Sequence, residues 1–532
     1  MLTRRTVLKR GGCVALVSAV PLFIRNARAQ SATFDYYIST TGSDSNAGTL
    51  SAPWAITSLQ HGNANNSKIA GKRVGLLPGT YNVYSLWLNA AWNAPALDIP
   101  GGTASTPTYI GSSNASGQYA ARTAHITANN NGALPGSSGS SVAIMGQGYE
   151  QAKGYVTFDG LIVSDSNGYC FYLNGGGGNG GSGGGSFIVQ NCEVYNVSGS
   201  EGNNPGCILF YNDSGSVVQN CLIHDAQIAG GGNHNCAGIF SFNCYGHTYQ
   251  FNTIYNCNSG IYDKDISNGG HTYYGNYIEI NGSNPINCVT NSGNGNVGWT
   301  RTVHNNIFVI AANTGQNGIL IGADDSGSVW TPSESMVFYN NSIYVLSGGG
   351  VQNGLIWQSL GTGVSPTASV KNYNNIMQSS GAGYALVQFN PASGAVAISD
   401  YNCYTAAASG GGVFGTGTSG APSSNYSLAN WRTKFGFDTH TITGSPSFSN
   451  PGTNLGSGGL YTDVTTTAGY ALAAGSPCSG TGSSNGTSSG TPCDMGAWGG
   501  ATPPTQIGSN FGVSLSAPVT PLIPNAPVLT VG

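Results

Sequence analysis

An asparagine that opens a short apolar strand recurs along this chain, and few folds accommodate such a rhythm. It stands in Asn191-Cys-Glu-Val, Asn220-Cys-Leu-Ile, Asn252-Thr-Ile-Tyr, Asn276-Tyr-Ile-Glu, Asn305-Asn-Ile-Phe, Asn341-Ser-Ile-Tyr, Asn374-Asn-Ile-Met and Asn402-Cys-Tyr, with Asp159-Gly-Leu-Ile at the head of the series. A second column closes strands such as Cys170–Asn174, Ile208–Asn212, Ile239–Asn243 and Ile261–Asp265. Two recurring columns with irregular Gly/Ser/Asn spacers mean a solenoid. The shortest repeat, Asn252 to Asn276, spans 24 residues, enough for one turn of a parallel β-helix with three short strands. Asparagine suits such a corner because it tolerates the left-handed conformation. Its amide also bonds to the same amide one rung away. The expectation is a stack of Asn191, Asn220, Asn252, Asn276 and Asn305 along one edge, within a β-helix spanning about residues 100–450.

The chain opens Thr3-Arg4-Arg5-Thr6-Val7-Leu8-Lys9, runs apolar from Gly12 to Ile24, and reads Ala27-Arg28-Ala29 before Gln30. Residues 1–29 read as a twin-arginine export signal, with an ordinary secretory signal as the alternative. The apolar run is too short to span a membrane, so no membrane anchor is expected. The expected location is the periplasm or the medium. Beyond residue 29 the chain carries ten Lys/Arg against 20 Asp/Glu. An acidic, charge-poor protein does not bind nucleic acid through bulk electrostatics.

Eleven cysteines follow the signal. Cys478 and Cys493 flank a Gly/Ser/Thr loop and are the expected disulfide of an oxidising compartment. Cys192 and Cys221 occupy one position in successive rungs and read as small buried fillers.

Three segments carry a family resemblance. They are Phe34-Asp-Tyr-Tyr-Ile-Ser-Thr-Thr-Gly-Ser-Asp-Ser-Asn-Ala-Gly-Thr-Leu-Ser-Ala-Pro-Trp54, Leu77-Pro-Gly-Thr-Tyr81 and Tyr155-Val-Thr-Phe-Asp-Gly-Leu161. They resemble the opening of secreted right-handed parallel β-helix proteins of the pectate-lyase-like superfamily. Ser476-Pro-Cys478 and Asp494-Met-Gly-Ala-Trp498 resemble its closing segment. The resemblance covers roughly residues 34–500. It implies an all-β, single-stranded right-handed parallel β-helix with an N-terminal cap, a monomer, and a polysaccharide as partner. The superfamily holds lyases, inverting hydrolases, epimerases and non-catalytic surface proteins, so chemistry stays open. The expected organisation is a cap and first rungs over 30–150, the helix proper over 151–402, last rungs and closing region over 403–500, and a Pro-rich tail over 501–532.

In a solenoid, residues that break a column mark sites. Asp263-Lys264-Asp265 puts three charges where neighbouring rungs carry apolar or amide side chains. Alternation sets Asp263 and Asp265 on one side and Lys264 on the other. Insertions at 198–206 and 227–238 bring Glu201 and His234. Gly246-His247-Thr-Tyr and Gly270-His271-Thr-Tyr are near-copies, and Arg301 continues their column. His224-Asp225 lies one rung earlier, and five of the eight histidines fall between 224 and 304. The bland alternatives are solvated surface charges and a hydrogen-bonded histidine ladder.

The leading reading is a lyase that cleaves a uronate-containing glycan by β-elimination. Lys264, Arg301, His271 and His247 are the expected catalytic set. His224, His234, Tyr262 and Tyr273 are expected to bind substrate. Glu201, Asp225, Asp263 and Asp265 are the expected ligands of a Ca²⁺ that neutralises the C6 carboxylate. It is similar to lyases of this fold that take a Lys and an Arg from adjacent rungs, although no complete lyase signature is present. An inverting hydrolase needs two carboxyls about 6.5–9.5 Å apart, for which Asp324-Asp325 or Asp225, Asp263 and Asp265 are the candidates. A non-catalytic carbohydrate-binding protein is the third reading.

Overall fold

A computed structural model describes residues 33–88, 95–129, 143–147, 154–176, 185–199, 204–228, 236–265, 270–280, 285–290, 300–310, 319–323, 335–345, 353–357, 369–379, 385–389, 396–406, 414–416, 424–451 and 465–509. The signal-peptide expectation falls outside these residues, as do Glu201, His234 and Asp324-Asp325.

The strands form three long sheets of twelve strands each, and the chain visits them in rotation. One rung runs through Val217–Gln219 in the first sheet, Leu222–Ala226 in the second and Ala237–Phe242 in the third, then returns to the first at Thr248–Gln250. Neighbouring strands pair in parallel, as in Val218↔Tyr249, Ile223↔Ile254 and Ile239↔Ile261. The last pair of the third sheet, Phe414–Thr416 with Ser424–Tyr426, is antiparallel. The fold is the expected right-handed parallel β-helix.

Period-two alternation makes the wall. Inward positions are filled by Val189, Val218, Tyr249, Tyr273 and Val303 from the first sheet, Val194, Ile223, Ile254 and Ile278 from the second, and Phe171, Ile208, Ile239 and Ile261 from the third, all in one buried cluster. Each such side chain contributes about 1.5–3 kcal/mol of apolar burial. Outward positions of the first sheet hold a glutamine ladder, with Gln250 donating to Gln219 at 2.7 Å and Gln219 to Gln190 at 2.8 Å. A ring stack continues that column through Tyr274, His304, Tyr339 and Tyr373 at centroid spacings of 4.5, 4.8 and 5.1 Å.

The asparagine corner between the first and second sheets is two columns, which corrects the single stack expected. Asn191, Asn220, Asn305, Asn340 and Asn374 occupy the first position with φ of 52–56°. The next residue faces the interior, and there Asn252, Asn276, Asn306, Asn341, Asn375 and Asn402 form the amide ladder. Asn252 donates to Asn276 at 3.1 Å, Asn276 to Asn306 at 2.9 Å and Asn306 to Asn341 at 3.0 Å. Cys192 and Cys221 take the inner position in earlier rungs. The Cys221 thiol donates to the Val189 carbonyl, as the Asn252 amide does to Val218 one rung on. These cysteines are free and buried.

Residues 483–509 run back along the outside of this corner. Asn374 donates to Ser483 O, Asn305 to Ala497 O and Gly499 O, and Gln506 to Asn220. Residues 501–509 are therefore part of the closing segment, with Ile507 packed against Tyr277 and Ile307.

Candidate functional site

The residues singled out in the sequence divide among three separate places. Arg301, His271 and His247 do share a column, as their register shows. That column faces inward. Tyr249 and Tyr273 point into the core, so His247 and His271, two residues earlier on the same strands, point inward as well. All five side chains, His247, His271, Tyr273, Asp263 and Arg301, are buried.

They make one polar seam inside the coil. Arg301 Nη1 donates to Asp263 Oδ2 at 2.8 Å, to Tyr273 Oη at 2.7 Å and to Cys288 Sγ at 2.9 Å. The Ser241 hydroxyl and the Tyr273 hydroxyl also donate to Asp263. His247 Nε2 lies 3.0 Å from Asp213 Oδ2, and the His247 backbone N–H donates to His271 Nδ1 at 3.1 Å. Buried charges persist when paired and hydrogen-bonded, as Arg301 and Asp263 are here. A polymer outside the wall has no route to these groups. The expectation that Arg301, His271 and His247 act on substrate beside Lys264, and that Tyr273 binds it, is corrected on that ground.

Lys264 and Tyr262 are carried on the outer face of the third sheet, where Lys264 is half-buried and Tyr262 is fully buried, which corrects the expectation that Tyr262 binds substrate. Tyr172, Leu209, Phe240 and Tyr262 form one outward column there. Beside it run Asn174, Tyr211, Phe242 and Lys264. Tyr211 and Phe242 stack with centroids 5.5 Å apart and planes 7° apart. Stacked rings present their edges outward, so this is an apolar strip rather than a set of open flat platforms. Lys264 extends it in charged form, with Nζ 5.9 Å from the Tyr262 ring centroid. Asp265 ends the same strand, and its side chain lies outside the described residues.

His224 and Asp225 occupy a third place, the outer face of the second sheet. The His224 ring sits between Tyr195 and Tyr255 with centroid distances of 4.7 Å to each. Its Nδ1 meets Asp225 Oδ2 at 2.7 Å and its Nε2 lies 3.5 Å from Glu193 Oε1. Arg122 Nη1 stands 3.5 Å from the other Glu193 oxygen. Burial disfavours the charged imidazole, but Asp225 and Glu193 outweigh it and raise the His224 pKa to about 9. Burial likewise pushes the Glu193 carboxyl up, while His224 and Arg122 overcome this and hold it below its ordinary value. Arg122 and Glu193 were missed in the sequence reading. Counting four residues on from each left-handed corner, Asn191, Asn220 and Phe251, finds Tyr195, His224 and Tyr255 as one column, with Glu193 beside it.

Asp225 and Asp263, expected to share a Ca²⁺, sit on different sheets and opposite faces of the wall. No group of three or more His, Cys, Asp or Glu side chains among the described residues is placed to hold a metal ion. No helix among them is long and apolar enough to cross a membrane.

No protein-family model matches the chain, and no curated protein matches it. Among solved structures it is similar to the pectate lyase Pel9A, with 15% identity, TM-score 0.44, and coverage of 87% of this chain and 95% of the other. It is also similar to a rhamnogalacturonan lyase at 13% identity, TM-score 0.35 and coverage of 76% and 87%. PfbA, a surface adhesin of Streptococcus pneumoniae, matches at 11% identity, TM-score 0.35 and coverage of 62% and 77%. At such distances the chemistry of this chain rests on its own side chains.

Proposed function

We propose that this chain is an exported, polysaccharide-active β-helix protein that cleaves a uronate-containing glycan by β-elimination. The observation that carries the reading is the position of Lys264. It puts an amine on the outside of the third sheet, at the end of an aromatic strip that runs across successive rungs. A polymer lying along the coil would cross that strip and meet the amine. In this scheme Lys264 takes the C5 proton, the electron pair forms the C4–C5 double bond, and the C4 oxygen leaves with a proton. The sealed seam beneath holds the strand still through Asp263, the residue before it. A bound Ca²⁺ would supply carboxylate neutralisation, and Glu201 and Asp265 are the ligands the sequence offers for it. Twin-arginine export belongs to the same proposal.

A non-catalytic glycan-binding protein is the second reading. It is favoured by the engagement of Arg301, His247 and His271 inside the wall, which removes them from surface chemistry. A product assay on a panel of anionic glycans separates the two. Growth of the ultraviolet absorbance of unsaturated uronates means lyase. New reducing ends without that absorbance mean hydrolase and overturn the elimination scheme. Binding with neither product means a binding module. Loss of lyase activity in EDTA, restored by Ca²⁺, would support the metal.

A further inference from the structure

Cys403 and Cys478 stand 75 residues apart in the sequence and meet where the closing segment packs on the last rungs. Cys403 begins a strand of the second sheet and pairs in register with Ile376. By alternation its side chain leaves the coil, and there it enters a small buried cluster of Ile376, Cys403, Cys478 and Met495. Cys478 reaches the same cluster from the closing segment, which is pinned by the Met495 N–H donating to the Cys478 carbonyl at 3.0 Å and by the Ser476 hydroxyl accepting from the Cys478 N–H at 3.1 Å. Both sulfurs are unbridged thiols in this cluster, and the Cys403 thiol donates to the Gly444 carbonyl at 3.6 Å.

We infer that Cys403 and Cys478 form a disulfide that fastens the closing segment to the end of the coil. Two other pairings, Cys478–Cys493 and Cys192–Cys221, are worse placed. Cys493 stands opposite Gly482 in a short antiparallel ladder, and its sulfur accepts from the Asn374 amide at 3.5 Å. That is why the Cys478–Cys493 bridge expected from the sequence is not the one inferred. Cys192 and Cys221 belong to adjacent in-register rungs. Parallel strands hold such Cβ atoms about 4.8 Å apart with parallel vectors, beyond the usual reach of a disulfide. Cys478 is carried by a segment that docks onto the coil, so its approach can adjust.

The bond needs a two-electron oxidant, here glutathione disulfide or an exported dithiol oxidase. One thiolate attacks the oxidant and releases one reduced thiolate. The second cysteine thiolate then displaces the other, so two cysteine thiols are oxidised and one disulfide is reduced, with both thiol protons passed to the released thiolates. The inference concerns the closing segment and stands whether or not the protein is a lyase.

The test is a non-reducing peptide map of the full mature chain refolded from the reduced state in a glutathione redox buffer. The expected result is one linked peptide pair containing Cys403 and Cys478, absent in Cys403→Ser and in Cys478→Ser. Reductant should lower the thermal midpoint of the wild type by several degrees and leave that of Cys403→Ser unmoved. Alkylation of both cysteines in the oxidised wild type, or a map that links Cys478 to Cys493, would overturn the inference. The wild-type map decides the matter even if either variant fails to fold.

Discussion

Arg301 and Asp263 meet at 2.8 Å inside the wall, though they stand 38 residues apart and on different sheets. The first and third sheets are joined there by a charge pair rather than by apolar contact alone. Arg301 is 1% exposed and Asp263 has no exposure. Removing one partner leaves the other's charge buried without its counter-charge. Arg301→Ala should therefore cost about 3–5 kcal/mol of unfolding free energy. Replacing both together, Arg301→Met with Asp263→Leu, should recover much of that loss. Denaturant unfolding of the singles and the double checks this, and a double no better than Arg301→Ala would count against the pair as the source of the cost.

The asparagine ladder makes a second prediction. Asn276 accepts from the Asn252 backbone and side chain, and donates to the Tyr249 carbonyl and to Asn306. Asn276→Ala removes these bonds and leaves buried partners unsatisfied, a loss of about 2–4 kcal/mol. Asn191→Ala, in the outer column, keeps the inner ladder intact and should cost less. Equal losses would mean that the inner and outer columns carry equal weight.

Much of this architecture was legible. The recurrence of Asn and the spacing between repeats located the corner, because a corner needs the same backbone geometry each time. The register of that corner was read one residue off in some rungs, since Asn305-Asn306 and Asn374-Asn375 offer two asparagines and only the second faces inward. Phe251 and Tyr401 also adopt the left-handed conformation at the outer position, where composition gives no hint of it. The histidine column was found, yet its side was missed. Charged and imidazole side chains are expected outside, and the alternation from Tyr249 and Tyr273 that turns them inward is stronger than that expectation. The partners that make burial tolerable, Asp213 for His247 and Asp263 for Arg301, come from other strands and cannot be paired by spacing.

Two histidines set opposite pH limits. The folded pKa of His224 is raised to about 9 from 6.5. Its contribution is fully present below about pH 6.5 and is lost as pH rises through about 9, a change on the order of 3 kcal/mol. His304 is packed between Tyr274 and Tyr339, and burial lowers its pKa to about 4. There the unfolded chain takes up the proton first, so stability falls as pH drops from about 6.5 towards 4. His224→Gln should flatten the alkaline limb of a stability–pH curve and His304→Gln the acid limb. A wild-type curve level up to about pH 10 would sink the assignment for His224.

The returning segment 483–509 should act as an external clasp. Deleting the chain from Ser483 onward frees the outer amides of Asn305, Asn340 and Asn374 and uncovers Tyr277 and Ile307. In a solenoid each rung leans mainly on its neighbours, so the damage should stay local. Hydrogen exchange should quicken at the strands Ile307–Ile310 and Ser342–Val345 and stay unchanged at Thr108–Ser112. Global unfolding on deletion would show that the clasp is required by the whole coil.

Lys264 and Arg301 were expected to act together, and their separation by the wall gives the sharpest test of the proposed site. Lys264 faces outward next to Phe242 in register, while the residue before it is locked to Arg301 within the core. If Lys264 is the base, Lys264→Ala should lower turnover by at least about 100-fold. Its unfolding midpoint should move less than that of Arg301→Ala, because the half-buried Lys264 side chain points out of the coil. Arg301→Ala should show the reverse order of effects, with stability lost first and activity falling only as the fold loosens. Measured at low temperature, where the variant remains folded, Arg301→Ala should keep most of its turnover. Turnover abolished in folded Arg301→Ala and retained in Lys264→Ala would move the chemistry away from the outer face of the third sheet.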